Sequence, residues 1–280
     1  MPNAVRARAA TGDRSPGIID SNAVKASGFS FENLLSLRFD SNSSEHVEGP
    51  AMQDVGTFTN QLTVACWHKW SVADGGPTIF DTIAGASTAW TNDGNGWVMI
   101  WGGATSYRFC INSSSVCGIA SGVTATDWNF FVGVYDGTLG SENIKLYANG
   151  VVGATTANVT ADITQQTNLV NVGKAWNTMD SGGADDFTVG HTDEFAMWDT
   201  PLSSDEITRL YKAGVAGFEY DTNSGDYVSA DNLRLWWRLG SGGDTDGSDG
   251  ITDQSGNGNH GTLTDITSAN FDAEVAGGGV

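Results

Sequence analysis

Carboxylates are the reactive side chains this sequence holds in quantity, with 33 Asp and Glu against 13 Lys and Arg in 280 residues and a net charge of −20. Glycosidic-bond hydrolysis needs two carboxyls flanking the scissile bond, and alternate positions of one strand, in an order such as E-x-D-x-x-E, are one arrangement that projects acid and nucleophile side by side. No such run occurs. Asp193 and Glu194 are adjacent, and neighbours on a regular strand point to opposite faces, so this pair is not expected to cooperate. Asp180-Ser181-Gly182-Gly183 has the look of a serine nucleophile loop, but acyl transfer also needs a positioned His and Asp. None of His46, His68, His191 or His260 stands in a partner motif, and a polar turn is the better reading. H-E-x-x-H is absent, and Asp244-Thr245-Asp246-Gly247-Ser248-Asp249-Gly250 departs from the EF-hand ligand spacing and reads as a solvated loop. The chain is not expected to be an enzyme.

The same charge balance bears on partners. A body at −20 repels phosphate backbones and anionic lipid heads, which disfavours nucleic acid and membrane surfaces. No run of about 18 apolar residues exists to span a bilayer. The first residues carry arginines with no continuous apolar stretch behind them, so they do not read as a secretory signal. Three cysteines, Cys66, Cys110 and Cys117, are far too few for a disulfide scaffold, although Cys110 and Cys117 are spaced to close one short loop.

These groups must be held by elements, and the elements are mostly strands. Leu35, Leu37 and Phe39 alternate, as do Leu62, Val64 and Cys66. Further runs fall at Trp97 to Trp101, Tyr107 to Ile111, Trp128 to Tyr135, Ile144 to Ala148, Leu169 to Val172 and Phe195 to Trp198. Asn149-Gly150 between two apolar runs is a hairpin signal. One helix is expected over 201–214, with Ser203 and Glu206 as a capping box, Ile207, Leu210 and Tyr211 as the apolar stripe and Gly214 as the stop. Many short strands and one helix predict an all-β jelly-roll sandwich.

Residues 1–28 lack periodicity and read as an extended arm. Arg6, Arg8, Arg14 and Lys25 face only Asp13 and Asp20 there, so the arm is +2 and residues 29–280 carry −22. A basic arm on an acidic body predicts an anchor onto neighbouring subunits, and a homo-oligomer.

Several linked segments resemble the laminin-G-like branch of the concanavalin A-like lectin/glucanase jelly rolls over residues 35 to 212. They are Leu37-Arg38-Phe39-Asp40-Ser41-Asn42 with His46-Val47-Glu48, then Val64-Ala65-Cys66-Trp67, then Trp128 to Gly137 followed by Ile144 to Gly150. Gly190-His191-Thr192-Asp193-Glu194-Phe195-Ala196-Met197-Trp198 with the following helix completes the series. Leu235-Trp236-Trp237-Arg238-Leu239 and Asp253 to Leu263 are similar to a segment that normally precedes the opening strand. The expected organisation is therefore an arm at 1–28, the jelly roll at 29–214, and a segment at 215–280 that folds back to add a strand.

The resemblance implies a structural calcium on Asp40 and Asp193, and sugar stacking by Trp90, Trp97, Trp101, Tyr107 and Trp176 where these face outward. It also implies a place at a virion surface, as a non-enzymatic capsid decoration, cement or fibre component touching host glycans. The alternatives are a stand-alone extracellular calcium-dependent carbohydrate-binding module or adhesin and, third, a glycoside hydrolase.

Overall fold

Strand sequences that alternate on one face only would leave polar residues on the other, yet β-forming runs such as Asn129 to Asp136 are apolar at nearly every position. The reason is a sheet covered on both sides. A computed structural model describes residues 35–40, 44–70, 82–87, 96–101, 106–112, 116–155, 163, 167–175, 186–214, 219–240 and 250–276. The chain runs β1 (Ser36–Phe39), β2 (His46–Ala51), α1 (Met52–Val55), β3 (Gln61–Trp70), β4 (Thr82–Ser87), β5 (Gly96–Trp101), β6 (Ser106–Ile111), β7 (Cys117–Ser121), β8 (Asn129–Asp136) and β9 (Ile144–Ala148). It continues with β10 (Val151–Val152), β11 (Ala154–Thr155), β12 (Leu169–Val172), β13 (Lys174–Ala175), β14 (Asp186–Phe187), β15 (Gly190–Trp198), α2 (Ser204–Ala213), β16 (Leu233–Trp237), β17 (Gly250–Ile251), β18 (Gly261–Thr264) and β19 (Phe271–Asp272).

One antiparallel sheet has the order β10-β9-β8-β3-β15-β1-β19, with β16 also on β15, and the second runs β11-β7-β6-β5-β4-β12-β2-β18-β17. This is the expected all-β jelly roll. Leu62, Val64, Cys66, Phe131, Phe195 and Met197 of the first sheet meet Trp97, Met99, Tyr107 and Phe109 of the second in the main core. The intervening residues of the first sheet, Ala65, Trp67, Phe130, Val132, Ala196 and Trp198, turn the other way into a second core beneath Leu202, Ile207, Leu210 and Tyr220. Each large side chain so buried stabilises the fold by roughly 1.5–3 kcal/mol. Glycines let the sheets come close: an added Cβ at Gly118 would lie 2.6 Å from the Leu146 amide nitrogen, and one at Gly133 2.3 Å from the Phe109 ring.

α2 forms where the sequence places its caps. Ser203 Oγ accepts from the Glu206 amide, the Glu206 carboxylate accepts from the Ser203 amide, and Gly214 ends the helix at φ 64°. The single turn of α1 was not expected from the sequence.

The carboxyl-terminal segment enters both sheets. β1 and β16 lie end to end along the same flank of β15, Leu37 opposite Thr192 and Phe195 opposite Trp237. β18 pairs β2 in the second sheet, and β19 pairs β1. The outer edge of β16 meets a turn instead of another strand. Asp253 Oδ1 accepts from the Trp236 amide at 2.9 Å, the Gln254 amide donates to Trp236 O at 2.8 Å, and Asn259 Nδ2 donates to Arg234 O at 2.7 Å. The turn from Asp253 to Asn259, through two side chains and the Gln254 amide, thus stands in for a neighbouring strand along this edge.

Cys110 and Cys117 are cross-strand partners on β6 and β7 and are joined by a disulfide, while Cys66 is a buried free thiol. Chain entropy over a loop this short sets the stabilisation at about 2.5 kcal/mol. C110S/C117S is therefore expected to lower the urea unfolding free energy by that amount. Thiol titration of the unreduced, denatured protein should find one reactive group and, after reduction, three.

Candidate functional site

The outer face of the first sheet has little room for a ligand, because three pieces cover it. α2 and the 219–232 connection lie over Trp67, Trp198 and Trp236. The stretch after β19 crosses the remainder: Ser36 Oγ donates to Glu274 O at 2.5 Å, Lys69 pairs with the Glu274 carboxylate, and Ala276 inserts into the second core.

Beneath this cover is an acidic centre that the sequence reading places wrongly. Asp193 and Glu194 were expected on opposite faces. Instead β15 carries a bulge between Asp193 and Ala196, with Glu194 in the left-handed region at φ 50°. The extra residue brings both carboxylates near Tyr220: burial pushes that hydroxyl well up, and Glu194 and Asp193 push it the same way. The pair is sealed, however, at 0% and 1% exposure. Glu194 Oε1 accepts from Arg238 Nε at 3.0 Å and Oε2 from Trp236 Nε1 at 2.6 Å. The Arg238 guanidinium in turn lies 5.4 Å from the Trp236 ring centre. Burial raises the Glu194 pKa against the opposing pull of Arg238 and Trp236. Its raised pKa is that of a carboxyl sealed from solvent, and no substrate can reach it.

A concavity among the described residues lies at the far edge of the same sheet, where the turn after β8 faces the approach to α2. It encloses about 220 Å³. Val134, Leu139, Pro201, Leu202 and the Tyr147 ring make its apolar wall. Asp136, Glu142, Asn143 and Lys145 supply the polar groups. The turn is built by Asp136, whose Oδ1 accepts from the Thr138 hydroxyl at 2.6 Å, the Thr138 amide at 3.1 Å and Gln61 Nε2 at 3.1 Å. Burial works against its ionised form, but these hydrogen bonds and nearby Lys145 outweigh it, so the carboxyl sits below its usual range and is charged at neutral pH. Tyr147 is 7% exposed, and its hydroxyl makes no hydrogen bond among the described residues. Leu139, at 42% exposure, is an apolar lip on the loop. Such a cleft can hold a small polyhydroxylated ring, with its C–H face on the apolar wall and its hydroxyls donating to carboxylates.

The residues expected to bind sugar lie elsewhere. Trp97, Trp101 and Tyr107 face the main core and are buried, because β5 and β6 turn their odd-numbered side chains toward the first sheet. Trp90, Trp176 and the arm residues Arg6, Arg8, Arg14 and Lys25 lie outside the described residues. Asp40 and Asp193 do not fit a calcium ion as a pair. The register sets them four positions apart along neighbouring strands, roughly 13 Å at ~3.3 Å per residue. Asp40 is held by Arg38 at 3.0 Å, and its amide donates to Glu45 Oε2. No group of three His, Cys, Asp or Glu side chains forms a metal-ligand set among the described residues. His68 is fully buried against Thr192 Oγ1 at 2.8 Å, and burial holds its pKa to about 3.

Two facing antiparallel sheets, one capped by a helix, with a rim cleft of apolar and acidic groups, define a lectin-type jelly roll. The Concanavalin A-like lectin/glucanases superfamily profile matches residues 40–208, and the chain belongs to that superfamily. No curated protein matches it in sequence. Among solved structures, a Bacteroides ovatus protein described as a candidate carbohydrate binding protein is 15% identical with a TM-score of 0.59, over 85% of this chain and 60% of its own. The chain thus spans about three fifths of that relative's length. A heptameric pentraxin of Limulus polyphemus is 17% identical over 70% of this chain and 88% of its own, TM-score 0.47. The CBM40 of Ruminococcus gnavus IT-sialidase, bound to α2,3 sialyllactose, is 16% identical over 64% and 98%, TM-score 0.43.

Proposed function

We propose that this chain is a non-enzymatic lectin-like module that holds glycan in the groove between the β8–β9 turn and the approach to α2, and that it is displayed at a virion surface. The groove carries the binding half of the proposal, since it combines an apolar wall, an ionised carboxylate and a hydroxyl without a hydrogen bond among the described residues in one concave site. The description of the Bacteroides ovatus relative as carbohydrate binding agrees with it. The non-enzymatic half rests on acid chemistry: a glycosidase needs an accessible carboxyl with a raised pKa, and Glu194, whose pKa is raised, is shut away while Asp136 is held ionised. The virion half rests on the resemblance and on the basic leader of an acidic chain.

Titration of the labelled protein with a panel of neutral oligosaccharides, followed by amide shifts, is expected to move the signals of Leu139, Glu142 and Lys145. D136N/E142Q should weaken binding about tenfold or more, as the loss of a charge-assisted hydrogen bond implies. The same titration with EDTA reads any calcium dependence, and reducing-sugar release from polysaccharides reads hydrolysis. Shifts confined to other surfaces would remove the groove from the proposal. Deleting residues 1–28 tests the anchor: the truncated protein should fold yet no longer join its assembly.

A further inference from the structure

The reading of the groove as a glycan site leaves its ligand class open, and the groove's charges and its neighbouring strand narrow that class. We propose that the groove accepts a neutral hexose ring, excludes sugars bearing a carboxylate, and continues onto Val152, which shelves the next ring of the same glycan. This deepens the groove reading and rests on it.

Charge decides the first part. Asp136 and Glu142 face the cleft with Lys145 as the single cation, on a chain already at −20. Ionised carboxylates only accept hydrogen bonds, and sugar hydroxyls donate, so the two match. A ligand carboxylate would bring a third acceptor-only anion into the same cleft, which is a mismatch in both charge and hydrogen bonding. The Tyr147 hydroxyl and the Lys145 ammonium remain to donate to ring or hydroxyl oxygens.

Geometry decides the second part. The cleft is small, about 220 Å³, and open at its rim. Val152 is the direct cross-strand partner of Tyr147, so the two side chains share a face, with Cβ atoms about 5 Å apart. Val152 is 48% exposed on β10, at the end of the sheet. The apolar wall that begins at Leu202 and passes through Tyr147 therefore extends one strand farther, beyond the cleft. Pairing β10 to β9 across the Asn149–Gly150 turn fixes this shelf, since Asn149 adopts φ 53° and Gly150 φ 79°, as such a turn requires.

The test compares cellobiose, lactose, maltose and mannobiose with their methyl monosaccharides, with α2,3 sialyllactose and with cationic glucosamine, by amide shifts and calorimetry on the full chain. At least one neutral disaccharide is expected to bind in the groove at least tenfold more tightly than sialyllactose. V152S, a change at a half-exposed position, should weaken that disaccharide about threefold to fivefold and leave its monosaccharide unchanged. E142Q should narrow the gap between lactose and sialyllactose. Sialyllactose binding the groove as well as the neutral sugars, or glucosamine binding it at least tenfold more tightly than every neutral sugar, overturns this inference and leaves the site standing. An unchanged disaccharide affinity in V152S removes the shelf. The absence of groove shifts with every sugar overturns the groove reading itself, and this inference with it.

Discussion

Arg238→Ala is expected to cost about 3–5 kcal/mol of unfolding free energy, because it strands the Glu194 carboxylate in a site with 1% exposure. The loss should depend on pH with a definite sign. Removing the guanidinium takes away the largest pull opposing burial and leaves the Trp236 hydrogen bond, so the Glu194 pKa rises further in the folded state and the variant can fold with Glu194 protonated in acid. The penalty accumulates as pH rises above the unfolded glutamate value of about 4.3 and levels off above the folded one. Urea curves for wild type and R238A should therefore diverge from pH 5 to pH 8. The double variant E194L/R238M removes both charges and is expected to recover most of the loss. A deficit independent of pH, or not relieved in the double variant, would point to lost packing on Trp236 in place of the buried charge.

Asp253→Ala should be nearly as damaging, at about 3–5 kcal/mol, although Asp253 belongs to no strand. Its carboxylate accepts from the amides of Trp236 and Asn259, both at 2.9 Å, and from the Ser255 hydroxyl at 2.8 Å. Truncation leaves two buried donors unsatisfied, at about 1–3 kcal/mol each, and loosens the turn that covers the edge of β16. Thermal unfolding monitored by circular dichroism measures the cost. D253N retains one acceptor oxygen and should fall between wild type and alanine. A D253A melting point within 2 °C of wild type would show that the turn holds itself without this carboxylate.

Strand positions were legible because alternation is a local signal, and the α2 caps because Ser203 and Glu206 are three residues apart. What faces which way was less so. Trp97, Trp101 and Tyr107 fit an outward sugar platform and an inward core equally well by alternation alone, and the pairing of the second sheet with Phe131 and Phe195 decided for the core. Asp193 and Glu194 deceived the period-two rule because one extra residue in β15 opposite Cys66 resets it, and no glycine marks the left-handed position. The groove was not legible at all. It joins a turn at 136–143 to Pro201 and Leu202, about sixty residues away in sequence, and its residues look singly like ordinary turn and strand positions. The hint available was Val151-Val152 after Asn149-Gly150, a short apolar edge with no polar partner in sequence.

The pairing of Ser36 with Asp272 has a mechanical consequence. The chain enters β1 and leaves β19 at the same end of an antiparallel pair, so a pull applied between these two points loads one rung at a time, as a zipper opens, and does not shear all rungs together. Under tension the sandwich should yield first at this seam, while the opposite margin, where β9 and β10 lie, carries no load until the seam has parted.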